Sequence, residues 1–492
     1  PAARPARACA RARPPAAPAS RAGWAMEGSV SDVSDGDTAW LLTSTSLVLL
    51  MTPGLAFFYG GLVKHANVLN TMMMSIIAMG IVSFSWTVLG FSLAFGQGVG
   101  GGFIGGFEYV GLPDMEHRVW PNTRLPMLLF CVFQMTFAVI GAAIISGSVV
   151  ERMRFSAYAA FILVWSVLVY APVCHWVWGP DGWIDEMGAK DFAGGTVVHE
   201  CTACSALVLA RVVGPRRACA PEISPKRERS SPLANPRREK TSATIRREKT
   251  MANQQPPHNV PFVVLGVALL WFGWGGFNGG SALAANEEAA LAVVNTYLSA
   301  GMALFVWVII ERAHLKRYSA TGTVTGAVVG LVVITPGAGF VTPVGALWTG
   351  GLGCLLVYPT FKAVERWVDD TLDAFACHGM GGFVGTLLTG FFCTEGGALY
   401  GGGARLVGVQ LVAALATAAY SFAVSALIAL AMRQVMSLRV DEDHEFMGLD
   451  DAVHGERAYE MDANQAGDSQ SDTLYNDGAD EATTTSDAED PA

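Results

Sequence analysis

Eleven apolar stretches of membrane-spanning length limit what this chain can fold into. They fall at about 39–62, 68–95, 125–149, 156–178, 192–213, 260–284, 289–311, 319–337, 343–363, 374–396 and 404–432. A hydrocarbon layer about 30 Å thick needs roughly 20 residues of helix to cross it. Inside that layer every backbone N–H and C=O must be satisfied within its own segment. The expected fold class is therefore an all-α polytopic membrane protein of about eleven transmembrane helices. Composition agrees, with 52% hydrophobic and only 15% charged residues. The 55 glycines and 18 methionines suit closely packed membrane helices. The net charge of -10 describes no one surface, because acid collects in the C-terminal tail and base in one internal loop. The nine cysteines are scattered through apolar runs and read as buried thiols, not a disulfide framework. The basic loop lies between spans without interleaved aromatics, which argues against nucleic acid as a partner.

The segments divide as follows. Residues 1–37 form a leader expected to be disordered. Its Arg-rich, acid-free beginning reads either as a transit peptide or as untranslated sequence carried into the reading frame. Residues 38–213 hold five spans, 259–402 hold five more, and 403–435 hold the last. Residues 214–258 are a basic insertion, with Arg-Arg-Glu-Lys-Thr at 237–241 and again at 246–250. It is expected to be disordered, with attraction to anionic lipid as the functional reading. Residues 436–492 are an acidic tail, mostly disordered, with 448–459 mixed enough in character to dock under the spans. One set of alternate loops carries Lys64, Arg152, Arg154, Arg312, Lys316, Arg317, Lys362 and Arg366. The other carries Asp114, Glu116, Asp181, Asp185, Glu186, Glu287 and Glu288, with Arg118 and Arg124 as exceptions. The positive-inside rule then puts the N-terminus outside and the C-terminus in the cytoplasm. The plasma membrane is the expected location.

The two five-span units rhyme. Gly54-Leu55-Ala56-Phe57-Phe58-Tyr59-Gly60-Gly61 in the first span matches Gly273-Trp274-Gly275-Gly276-Phe277-Asn278-Gly279-Gly280 in the sixth. Asp191 precedes His199 by the same spacing as Asp370 precedes His378. On a helix that spacing is a rise of roughly 12 Å, with the carboxylate near the end and the imidazole deeper. Units of five spans enter the membrane from opposite faces, so the repeat is inverted and its site is expected between the halves near the midplane. Ionisable side chains inside membrane helices point to function. Two facing imidazoles offer a polar solute hydrogen bonds and can pass a proton. The bland reading is two buried histidines tying helices together.

Other residues suit a cation at one end. Phe133 and Phe137 share a helix face. Trp178, Trp274 and Phe277 add aromatic faces that attract cations, and Ser281 can accept a hydrogen bond. Each aromatic taken singly is also an ordinary packing residue. Asp191 and Asp370 read as carboxylates that cap helix N-termini, in preference to direct cation ligands. Cys201 and Cys204 beside His199 suggest a metal site, but no second ligand pair accompanies them, so no metal or other cofactor is expected.

At these motifs the chain resembles the ammonium transporter family, in its Amt branch. The match covers residues 38–459 apart from the insertion. It rests on Asp191-Phe192-Ala193-Gly194-Gly195-Thr196-Val197-Val198-His199, on Asp369 through Gly379, on Trp274 through Ser281, on Ala285-Asn286-Glu287-Glu288-Ala289-Ala290, and on Gly448-Leu449-Asp450 with His454-Gly455-Glu456. The resemblance implies ammonium or ammonia as substrate and a homotrimer with one pore per subunit. It implies pore histidines at His199 and His378, a gate of Phe137 and Phe277, and an ammonium site of Trp178, Ser281 and Phe133 supported by Asp191. It also implies a tail that couples subunits and offers a cytoplasmic regulator a place to bind. It implies transport, not enzymatic turnover. The alternatives are an ammonium sensor with little flux and a metal-ion transporter using Cys201, Cys204 and His199. The chain departs from the family pattern at Glu200, where an apolar residue is usual, and at Cys201-Thr202-Ala203-Cys204.

Overall fold

The computed structural model describes residues 32–217 and 256–459. The expectations for the start of the leader, for most of the basic insertion and for the acidic end of the tail lie outside the described residues. Eleven helices among the described residues are long and apolar enough to cross a membrane. They are Asp35–Leu62, His65–Phe95, Met127–Ser146, Phe155–Glu186, Gly195–Val213, Val260–Gly280, Glu287–Leu315, Ala320–Gly337, Pro343–Val364, Phe375–Phe392 and Arg405–Val435.

One boundary needs correction. The first span begins inside the stretch assigned to the leader. Ser34 accepts a hydrogen bond from the Asp37 N–H, and Asp35 and Asp37 lie in the first turn. A capping hydroxyl and two carboxylates stabilise the positive end of a helix, so it starts there despite its polarity. The fourth span breaks after Trp178 at Gly179, where the sequence reading ended it, and a short helix, Trp183–Glu186, follows.

The first and sixth spans form the most extensive helix pair, and glycines make the contact. A Cβ on Gly266 would lie 2.3 Å from the Phe58 nitrogen, and one on Gly273 would lie 2.6 Å from the Leu47 carbonyl oxygen. With no side chain between them, the backbones meet directly, as in other small-residue membrane contacts. The inverted relation also appears in two exchanged hydrogen bonds. The Phe192 N–H, ahead of the fifth span, donates to the Pro336 carbonyl at the end of the eighth at 3.0 Å. The Leu372 N–H, ahead of the tenth span, donates to the Gly147 carbonyl after the third at 2.9 Å.

On one face a small antiparallel hairpin pairs Gly98–Val99 with Ile104–Gly105. On the other, the tail folds back over the loops. It is ordered directly from the last span, earlier than the sequence pattern suggested. Arg439 grips Glu445 of the tail helix Glu442–Met447 with contacts of 2.7, 2.9 and 3.0 Å. The Leu449 N–H donates to Asn67 Oδ1 at 2.8 Å, and Asp450 Oδ1 accepts from the Asn70 N–H at 2.9 Å.

Beneath the tail lies a largely buried ion cluster. Arg216 bonds Glu151 at 2.9 Å and Asp369 at 2.8 Å. Burial alone would raise both carboxyls, but Arg216 with its hydrogen bonds more than offsets this and holds both below their ordinary values. A carboxylate depressed on folding adds stability above its unfolded pKa, and that stability fades as pH falls through the lower folded value. Melting of the detergent-solubilised protein should therefore shift to lower temperature on acidification below about pH 4.5, the ordinary glutamate value. Arg216→Ala should cost about 3–5 kcal/mol at neutral pH, because two buried carboxylates lose their partner. It should also flatten that acid dependence. A neutral-pH melting temperature equal to that of the parent would show that the cluster does not hold the face together.

Candidate functional site

The fifth span begins on a carboxylate. Asp191 Oδ1 accepts from the backbone N–H groups of Gly194 at 2.8 Å and Gly195 at 2.7 Å. Its Oδ2 accepts from the N–H groups of Thr196 at 2.8 Å and Val197 at 3.3 Å, and from the Thr196 hydroxyl. The helix has no earlier turn to satisfy these donors. The sequence reading placed Asp191 on the same helix as His199, and that geometry is corrected here. Asp191 lies ahead of the helix, and the chain reverses at Gly194 with φ +106°, a conformation open mainly to glycine.

Asp370 does related work for the tenth span. Its Oδ2 accepts from the Phe375 N–H at 2.7 Å, and its Oδ1 from the Ser148 hydroxyl at 2.5 Å. Burial raises its carboxyl, with the Ser148 bond acting in the opposite sense. The two aspartates lie on opposite faces of the protein, Asp191 away from the tail and Asp370 beneath it.

Each histidine follows in a π-helical first segment, Gly195–Glu200 and Phe375–Gly379. Such wide turns redirect side chains and recur at functional positions. His199 and His378 are 1% and 4% exposed. Their Nδ1 atoms are 3.2 Å apart, and the rings lie 5.3 Å apart at 22°. Glycine permits this approach, since a Cβ on Gly382 would lie 2.4 Å from the Gly195 carbonyl oxygen. An Nδ1–Nδ1 bond needs a proton on one ring and a lone pair on the other, so the protonation of one histidine dictates that of its neighbour. The His199 ring also stacks on Trp274 at 5.3 Å and 18°, and its Nε2 has no hydrogen-bond partner.

Both imidazoles face one narrow apolar cavity, with room for about one water-sized molecule. Its lining pairs the two repeats. Met51, Leu55 and Phe58 of the first span occupy the same spacing as Leu270, Trp274 and Phe277 of the sixth, and Ile140, Ile144 and Val328 complete the wall. Phe58, Leu55 and Met51 were absent from the residues singled out by sequence. The matching glycine motif carried the signal, since it makes Phe58 the counterpart of Phe277.

The aromatic residues gather at the end of the cavity away from the tail. Phe137 and Phe277 stack at 4.1 Å and 28°. Phe133 meets Phe137 edge-on at 4.9 Å, and Trp178 does so at 6.0 Å. Trp178 Nε1 donates to the Asp191 carbonyl at 2.8 Å, and the Ser281 hydroxyl donates to the Phe277 carbonyl at 2.8 Å. Trp178 and Ser281 are partly exposed, whereas Phe133 is fully buried against Gly280. Glu200 does not line the cavity. Cys201 and Cys204 are buried free thiols, and no group of three or more metal-ligating side chains occurs among the described residues.

A bundle of eleven membrane helices in two inverted units, with a narrow apolar passage between them, is a transporter or channel fold. The Ammonium Transporter Family model matches residues 39–235 and 240–459, and the chain belongs to that family. An ammonium transporter of Aquifex aeolicus is 41% identical over 88% of this chain and 95% of its own length. One of Bacillus subtilis is 41% identical over 86% of this chain and 98% of its own. Among solved structures, a "Sensor Amt Protein" is similar with a TM-score of 0.74 at 30% identity, covering 85% of this chain and 98% of its own. Candida albicans Mep2 gives 0.71 at 29%, covering 84% and 88%.

Asp191→Asn should lower the melting temperature in detergent, by on the order of 2–3 kcal/mol of stability, because an amide carries no charge for the donors gathered there. Unchanged melting would show that the fifth span does not depend on this carboxylate.

Proposed function

We propose that this protein moves ammonium across the membrane by capturing the ion at Trp178, Phe133 and Ser281, removing its proton, and passing ammonia between Phe137 and Phe277 to His199 and His378. The observation that carries this reading is the 3.2 Å contact of two buried imidazoles inside an otherwise apolar passage. An intact cation at the centre of a membrane is costly, whereas neutral ammonia suits a small apolar cavity with room for about one water-sized molecule and finds hydrogen bonds at the rings. Aromatic faces favour a desolvated cation by about 2 kcal/mol. Ammonium can also donate hydrogen bonds to a hydroxyl, which potassium cannot do. Asp191 supports the capture site by holding the segment to which Trp178 is bonded.

In this reading the hairpin face is outside and the tail face is cytoplasmic, in the plasma membrane, and the active form is a homotrimer. The ordered tail, bonded to Asn67 and Asn70, is the surface a cytoplasmic regulator would address.

A second reading, an ammonium sensor with little flux, is favoured by the likeness to a structure titled as a sensor. Uptake into proteoliposomes separates the two. The parent protein should take up ammonium, and His378→Ala should reduce that uptake at least tenfold while leaving ammonium binding in place. Binding without uptake by the parent supports the sensor. Unchanged uptake by the variant excludes the histidine pathway.

A further inference from the structure

The helix that ends in Trp178, Ala171–Trp178, is pinned one turn earlier by a histidine outside the passage. His175 is fully buried. Its Nδ1 lies 3.0 Å from the carbonyl oxygen of Ala94, in the short helix Phe91–Phe95 that ends the second span. A carbonyl can only accept, so Nδ1 carries a proton and donates it to that bond. The ring therefore ties the end of the fourth span to the end of the second. Its other nitrogen, Nε2, has no hydrogen-bond partner among the described residues. Nε2 faces the hairpin, where a Cβ on Gly98 would lie 3.4 Å from it.

The surroundings are shaped to receive this ring. A Cβ on Gly179 would collide with Nδ1 and crowd the Ala94 oxygen, so a larger residue there would push the two apart. The hairpin lies over the turn that follows. A Cβ on Gly98 would stand 3.0 Å from the Pro180 carbonyl oxygen, and one on Gly102 would collide with that of Asp181. Trp176 Nε1 donates to the Phe103 carbonyl at 2.7 Å, and their rings lie 5.2 Å apart. At Gly179 the backbone becomes extended, so no further helical turn holds Trp178 in place. Trp178 is held from two sides instead. Toward the fifth span its own Nε1 is bonded to the Asp191 carbonyl. Toward the second span the restraint is His175.

We propose that His175 is a positioning residue for ammonium capture. By donating from Nδ1 to the Ala94 carbonyl, it fixes the last turn of this helix and so the place where Trp178 meets the ion. This rests on the reading that ammonium is captured at Trp178, Phe133 and Ser281. A ring attracts a cation only within about 6 Å of its centre. The Trp178 ring already lies 6.0 Å from that of Phe137, so a helix end that slips outward weakens its hold on the ion. The steps beyond capture belong to Phe137, Phe277 and the two histidines, none of which His175 touches. Its role therefore shows as lost affinity with maximal uptake retained. Because Nε2 is unbonded, only the Nδ1 donor is required. An asparagine amide nitrogen reaches the place of Nδ1, whereas that of glutamine reaches further, toward Nε2.

The test uses the full chain. Ammonium binding is measured by titration calorimetry in detergent, and the concentration dependence of initial ammonium uptake in proteoliposomes. His175→Phe, which keeps a ring but no donor, should weaken binding and raise the half-saturating concentration about tenfold, with maximal uptake within about twofold of the parent. His175→Gln should do the same, and carries the test where His175→Phe does not fold. His175→Asn should restore both affinities to within about threefold of the parent. Unchanged affinity in the folded Phe or Gln variant overturns the proposal. So does an Asn variant as weak as Phe, since the donor would then not be what matters. A fall of maximal uptake at unchanged affinity also overturns it, because His175 would then serve folding alone. Trp178→Leu separates this proposal from the reading beneath it. If Trp178→Leu binds as the parent does, capture at Trp178 fails and this proposal with it. If Trp178→Leu binds weakly while His175→Phe does not, only the role of His175 fails.

Discussion

The structure depends on two histidine rings meeting in the middle of a membrane. That contact requires the fifth and tenth spans to approach almost backbone to backbone, which Gly382 allows. It also requires each helix to begin at a set depth, so that the imidazoles arrive at the same level. Asp191 sets the depth of one by collecting the N–H groups of its first turn, and Asp370 helps to set the other. The wide first segments then turn both rings onto the axis between the repeats. The first and sixth spans, packed through their own glycines, supply the walls.

Symmetry accounts for the passage, and its breakdown makes the two ends differ. Phe58 and Phe277 are counterparts, yet only Phe277 is stacked by a phenylalanine from the third span. Leu55 stands where the other repeat has Trp274, which lies flat on His199. The aromatic character therefore gathers at the end away from the tail. The opposite end is organised by charge, with Arg216 joining two buried carboxylates and the tail bonded across the loops. One end presents aromatic ring faces, and the other holds the chain together.

Much of this was legible in the sequence. The span count and the inverted repeat follow from apolar length and matched spacing, which also single out His199 and His378. That Asp191 caps a helix was legible, but its position relative to that helix was not. A spacing cannot reveal that the chain reverses at Gly194 and that the carboxylate lies ahead of the helix. Phe58 was visible in principle, since its motif matched that of Phe277, but a phenylalanine in an apolar run looks like any packing residue.

The sequence by itself therefore determined the membrane class, the two units and the chemistry available between them, because a bilayer permits few ways to bury a backbone and a repeat announces its own symmetry. Only the tertiary structure decided which polar groups meet. Whether His199 faces His378, and whether Glu200 faces the passage, depends on helix rotation and depth. Those are set by caps, glycine contacts and neighbouring helices far away in the chain.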